Sequence, residues 1–99
     1  MSAYLVVRVD VKNPDLYKAY TARSPAGVQK FGGKFLVRGG ACTTLEGEEF
    51  NGRLVVIEFP DSRSARGFYD SREYQDLVRL RAPAACAEFV LAEGFPPTP

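Results

Sequence analysis

The chain has 99 residues, 45% of them hydrophobic and 25% charged, and thirteen basic against twelve acidic side chains leave a formal net charge of +1. That balance argues against a nucleic-acid binder, which needs a concentrated basic face, and no apolar run approaches the roughly 20 residues of a membrane span. The lack of any histidine removes a zinc site of the usual Cys/His kind, a His-ligated haem, and Ser-His-Asp or Cys-His catalytic pairs.

Residues 3–11 read as a strand, with Leu5, Val7, Val9 and Val11 pointing one way and Tyr4, Val6, Arg8 and Asp10 the other. Asn13-Pro14-Asp15 is a helix start: Asn13 caps, Pro14 suits the first helical position, and Asp15 favours the positive end of the dipole. Leu16, Tyr17 and Tyr20 follow at helical spacing. Pro25 is expected to break or kink the helix near Ser24. Val28 and Phe31 resume the pattern, and Gly32-Gly33 ends it. Residues 34–38 form a short second strand, with Phe35 and Val37 on one side and Leu36 and Arg38 on the other. Gly39-Gly40 closes or bulges it, and residues 43–46 are a candidate extension.

After a polar turn, residues 53–59 form a third strand that is apolar on both faces, as a central strand should be. Pro60 stops it. A helix starts at Asp61 or Ser62 and buries Ala65 and Phe68. A second start at Asp70, with Glu73 three residues on, resembles a capping box. Tyr74, Leu77, Val78 and Arg81 then share one side, and Pro83 ends the helix. Residues 86–93 are the last strand. Residues 1–94 are expected to form one domain and 95–99 an extended tail.

The order βαββαβ predicts an α+β fold, the ferredoxin-like plait, with four antiparallel strands and both helices on one face. The opposite face is also largely apolar, which usually marks an interface. Two sheets packed face to face would cover it, giving a homodimer of the dimeric α+β barrel kind. A chain this short buries only on the order of 65% of its unfolded surface, so association would add burial.

FGGKFLVRGG (31–40), RLVVIEFPDS (53–62), FYDSREYQ (68–75), Arg81 and the closing AEG (92–94) together resemble the family called domain of unknown function 1330. The resemblance covers nearly the whole chain. It implies the dimeric α+β barrel superfamily, whose members include small cofactor-free monooxygenases, muconolactone isomerases and haem-degrading enzymes. It implies a fold and a dimer, and supplies no reaction. The family's hallmark positions fall here on Gly33, Arg38, Gly39, Gly40, Arg53, Glu58, Phe59, Pro60, Tyr69, Ser71, Tyr74 and Arg81. The chain departs from the family pattern at Arg63, Arg66 and Arg72, which make the helix starts more basic.

Glu58 is the sharpest candidate for chemistry, because a carboxylate within an apolar strand is costly to bury unless paired or protonated. It reads either as a general base or as half of an ion pair with Arg8, Arg38, Arg53 or Arg81. Arg38, before two glycines, reads as a two-pronged clamp for a carboxylate or phosphate, or as a salt-bridge partner. Gly39-Gly40 alone makes no phosphate loop. Tyr17, Tyr20, Tyr69 and Tyr74 either line a pocket or pack the core. Arg81 ties the helix end or holds an anion. The basic run from Arg63 to Arg81 reads as a solvated face. Cys42 and Cys86 lack metal-type spacing and read as reduced, half-buried small residues. The N-terminus lacks the pattern of a signal peptide, so the cytoplasm is expected.

Two functions remain open. One is an enzyme without metal or organic cofactor that acts on a small apolar or aromatic acid by proton transfer, isomerisation or oxygenation. Glu58 and Tyr69 would then be catalytic, and Arg38, Tyr17, Tyr74 and Arg81 would bind the ligand. The other is a non-catalytic dimeric protein that binds a small molecule or acts as an accessory. Neither calls for nucleic acid or a membrane.

Overall fold

A computed structural model of the chain describes residues 1–95. Residues 96–99 of the expected tail lie outside the described residues. Strand β1 (Ala3–Val11) leads to helix α1 (Pro14–Lys30), then strands β2 (Lys34–Arg38) and β3 (Arg53–Phe59). Helices α2 (Ser62–Asp70) and α3 (Arg72–Arg81) precede strand β4 (Ala85–Glu93). The four strands form one antiparallel sheet in the order β2-β3-β1-β4. This is the ferredoxin-like α+β plait, with its second helix split in two.

The alternation in β1 decides the layering. Ala3, Leu5, Val7 and Val9 are buried and pair with Phe59, Ile57, Val55 and Arg53 of β3. That face lies under the helices. Phe68 of α2, Val28 of α1 and Tyr74 of α3 are fully enclosed with Phe59. The other face carries Tyr4, Val6, Leu54, Val56 and Glu58, which are half-buried. Leu36 is 50% exposed and Val90, on the same open face, 60%.

Three local expectations need correction. The first is the break at Pro25. Helix α1 runs unbroken through it. Asn13 caps its start, accepting from the Leu16 N–H at 3.1 Å, and Gly32 (φ +78°) turns the chain just past its end. Proline lacks the N–H that would reach the carbonyl four residues back, that of Thr21. Arg38 Nη2 donates to that carbonyl at 2.7 Å instead, so the orphaned acceptor is satisfied from β2.

The second concerns β2. Its pairing with β3 shifts register between Phe35 and Val37. The bulge falls at Leu36 rather than at Gly39-Gly40. Phe35 pairs with Ile57 and Arg38 with Val55, so both lie on the helix side, while Val37 joins Val56 on the open face. An extra residue in one strand resets the alternation, and this one turns Arg38 toward the helices. Residues 43–46 form no strand. The Phe50 N–H donates to Thr44 Oγ1 at 2.9 Å and folds that loop on itself.

The third is the second helix start. Asp61 caps α2, accepting from the Ser64 N–H at 2.7 Å. Ser71, not Asp70, caps α3. Its Oγ accepts from the Tyr74 N–H at 3.1 Å and donates to the Phe68 carbonyl at 2.7 Å, joining the two helices. Asp70 stays in the last turn of α2, beside Arg66 at 3.5 Å.

Candidate functional site

Beneath the helices, a small cavity of about 30 Å³ opens between α1, α3 and the buried face of the sheet. Helix α1 contributes Tyr17, Tyr20, Thr21 and Ser24, which its 3.6-residue period brings to one side. Tyr74 and Arg81, two turns apart on α3, close it from above. Arg38, Arg53 and Phe89 come from β2, β3 and β4.

Arg81 is 8% exposed. Its Nη1 donates to the Tyr74 hydroxyl at 2.9 Å, and its guanidinium lies 4.8 Å from the centre of the Phe89 ring. Its Nε is buried without a hydrogen-bond partner. Arg53 has the same deficit at Nε, with its guanidinium 5.8 Å from the Tyr17 ring. Among the described residues no carboxylate pairs with either. A buried cation without a counter-ion costs several kcal/mol in general. Arg81 is such a cation, and with the half-buried Arg53 on the same cavity it concentrates positive potential there.

Gly39 explains how Arg53 is held. Its φ is +74°, and a Cβ there would collide with the Arg53 guanidinium. Only glycine allows both the turn and the close approach. The Gly39 N–H donates to the Leu54 carbonyl at 2.9 Å, which anchors that turn on β3.

The Tyr20 and Tyr74 hydroxyls lie 2.6 Å apart, and either can be the donor. Burial, together with the neighbouring Tyr20, pushes the Tyr74 hydroxyl far above the ordinary tyrosine value. Burial also raises Tyr17, reinforced by Tyr20 and partly offset by Arg53 and Arg81. Both stay protonated at neutral pH. They offer hydrogen bonds and do not act as bases.

Outward, the cavity meets an open groove of about 920 Å³ that shares Tyr17, Thr21, Arg38 and Arg53 with it and adds Lys18 and Asp10. Arg38 stands at the junction, stacked 4.6 Å from the Phe35 ring.

Five of the residues singled out in the sequence as pocket or ligand candidates therefore meet in one place: Tyr17, Tyr20, Arg38, Tyr74 and Arg81. Glu58 does not join them. It sits on the open face, 24% exposed, with Lys34 Nζ 3.3 Å from Oε1. The Tyr4 hydroxyl donates to Oε2 at 3.2 Å. The four arginines expected as its partners are replaced by the residues directly opposite it in register, Tyr4 on β1 and Lys34 on β2. Hydrogen bonds from Ser2 and Lys34 hold its carboxyl below the usual range. Tyr69 is also outside the cavity. Its ring packs 5.6 Å from Tyr74 and 5.5 Å from Phe89, over a depression shared with Arg66 and Leu91. Cys42 and Cys86 are exposed rather than half-buried, and unpaired.

Arg53 and Phe89 complete the cavity, and nothing in the sequence placed them there. Arg53 begins a strand, where a solvated charge is ordinary.

Among the described residues no cluster of His, Cys, Asp and Glu could hold a metal ion, and no helix is long and apolar enough to cross a membrane.

Fold and cavity together define a small α+β domain of the ferredoxin-like type with a cationic, tyrosine-lined pocket under its helices. Residues 2–95 match the family model described as Domain of unknown function (DUF1330), and the chain belongs to that family. No curated protein matches it. Three solved structures place the fold. A protein of unknown function from Rhodopseudomonas palustris superposes with a TM-score of 0.74 at 18% identity, over 97% of this chain and 84% of that one. SnoaB, a cofactor-independent oxygenase from Streptomyces nogalater, gives 0.69 at 16% identity, over 99% and 97%. A dimeric ferredoxin-like protein of unknown function from Thermobifida fusca gives 0.57 at 14%, over 94% and 91%. At these identities the likeness is one of fold.

Proposed function

We propose that the cavity binds a small organic acid with a flat apolar body, without metal or organic cofactor. The observation that carries this reading is the pair of buried, unpartnered guanidinium Nε atoms on Arg53 and Arg81, two residues that line one apolar cavity. Buried donors are normally satisfied, and an anionic ligand satisfies both. Arg38 and Arg53 meet the ligand at the mouth, Arg81 and Tyr74 meet it inside, and Tyr17 packs on its face. Glu58 and Tyr69 take structural roles in this reading, as an ion-pair partner and a packing ring.

Binding is better supported than base catalysis. The cavity lining holds no carboxylate, and burial keeps Tyr17 and Tyr74 protonated. The likeness to a cofactor-independent oxygenase supports a narrower second reading, in which the same cavity oxygenates an electron-rich acid. Turnover would then depend on the cavity residues rather than on Glu58.

The reading includes a homodimer joined through the open sheet face, where Val6, Leu54, Val56 and Val90 need cover. A dimeric neighbour of the same fold supports it. Two free, exposed thiols suit a reducing compartment, in keeping with the cytoplasm.

Isothermal titration with benzoate tests the site. Wild-type protein should bind it, and Arg53→Gln and Arg38→Met should each weaken binding about tenfold or more. Binding that neither substitution alters would overturn the assignment, as would no binding by folded wild-type protein.

A further inference from the structure

The cavity is polar at two ends and apolar between them. Sheet order sets the direction. Arg38 and Arg53 stand on the β2–β3 side, at the groove, while Arg81 lies over Phe89 of β4. Strands β3 and β4 are separated by β1, so the two ends are about 10 Å apart, two strand spacings of about 4.8 Å each. Val7 and Phe68 line the wall between them.

The two ends differ in chemistry. The outer end has two guanidiniums, a buried unpartnered Nε on Arg53, and access to solvent through the groove. That suits a carboxylate, whose two oxygens accept from two forks and keep some hydration. The inner end has the Tyr20–Tyr74 hydroxyl pair at 2.6 Å, Arg81 Nη1 already donating to Tyr74, and Arg81 Nε without a partner. Either tyrosine oxygen can serve as donor there. A hydroxyl is the matching group, because it accepts from Arg81 Nε while donating to a tyrosine oxygen.

We infer that the site takes an aromatic hydroxy acid, a single ring whose carboxylate lies between Arg38 and Arg53 and whose opposite hydroxyl lies among Tyr20, Tyr74 and Arg81. One ring with oxygens at opposite ends, plus a hydrogen bond of about 2.8 Å at each, spans the gap. The inference rests on the small-acid reading above and names the class of acid.

It also gives Arg38 a moving part. A cavity of about 30 Å³ is too small for a ring. The ring enters from the groove when Arg38 leaves the Thr21 carbonyl, its partner at 2.7 Å, for the carboxylate. A neutral carbonyl is the weaker acceptor, so the exchange favours the charged group. Thr21 lines the groove as well, so water can take over its carbonyl.

The test is calorimetric titration of the full chain with 4-hydroxybenzoate, benzoate and phenol. The hydroxy acid should bind about tenfold or more tighter than either single-ended probe. Arg53→Gln should cost the hydroxy acid about tenfold and leave phenol unchanged. Tyr20→Phe should bring the hydroxy acid down to the affinity of benzoate and leave benzoate unchanged. If Tyr20→Phe lowers the melting temperature, Tyr74→Phe carries the same comparison. Equal binding of 4-hydroxybenzoate and benzoate would refute the hydroxyl end and leave the small-acid reading standing. An Arg53→Gln loss that is the same for phenol would refute the two-ended site. If neither acid binds, both readings fall.

Discussion

The two faces of this sheet treat their charges in opposite ways. On the open face, Glu58 lies between Tyr4 and Lys34, its strand neighbours, and both contact it. On the helix face, buried Arg81 and half-buried Arg53 are less satisfied, each with a buried, unpartnered Nε. Burial and pairing normally go together. Where they part, as under the helices, the deficit points to something the fold alone does not need. The carboxylate that looked costly in the sequence is the settled one. The arginines that looked like its partners carry the tension.

The largest expected effect separates the faces by stability. Phe59, fully buried against Phe68 with ring centres 5.5 Å apart, should cost about 3–5 kcal/mol when cut to alanine, read from chemical denaturation. Val56→Ala on the open face should cost far less per protomer and show instead as a weaker dimer by analytical ultracentrifugation. Equal losses, with no shift in assembly, would mean that the open face is not an interface.

Arg81→Met sharpens the comparison next. An apolar replacement of similar length removes a buried charge that no carboxylate balances. The Tyr20–Tyr74 bond remains. The variant should melt no lower than wild type while losing affinity for 4-hydroxybenzoate. One kcal/mol corresponds to about 4–8 °C in a domain of this size, so a melt lowered by that much would show Arg81 to be structural. Stability and affinity moving in different directions is the signature of a functional charge.

How far these features were legible in the sequence follows from what each depends on. The strands were readable because a period of two shows in β1 itself, and the start of α1 because Asn13, Pro14 and Asp15 each act locally. Pro25 was misread because its remedy comes from another element, the Arg38 side chain, and no local rule contains it. The bulge at Leu36 was invisible because KFLVR alternates normally, and only pairing with β3 reveals the reset. Glu58 was visible as a charge in an apolar run, but its partners are fixed by register across two neighbouring strands. Arg53 was missed for the same reason. Its side follows from facing Val9, not from its own neighbours in the chain.

The Pro25–Arg38 arrangement offers a smaller effect. Arg38→Met leaves the Thr21 carbonyl without its donor and should cost α1 about 1 kcal/mol or less, seen as faster amide exchange in that helix. Adding Pro25→Ala restores an N–H for that carbonyl. The double variant should then regain the slow exchange. If it does not, the carbonyl was never dependent on Arg38, and the account of the unbroken helix fails.

Glu58→Gln should have the smallest effect, and its pH dependence is what tests the settled face. The folded carboxyl lies below its unfolded value of about 4.5, held there by Ser2 and Lys34. A depressed folded pKa contributes stability that is complete above the unfolded value and lost as pH falls through the folded one. Wild type should therefore be slightly more stable than Glu58→Gln at neutral pH, and the two should converge on acidification below about pH 4.5. Benzoate affinity should not change, because the sheet separates Glu58 from the cavity. If affinity did follow Glu58→Gln, the open face would reach the site through the partner protomer, and the two faces would have to be treated as parts of one pocket.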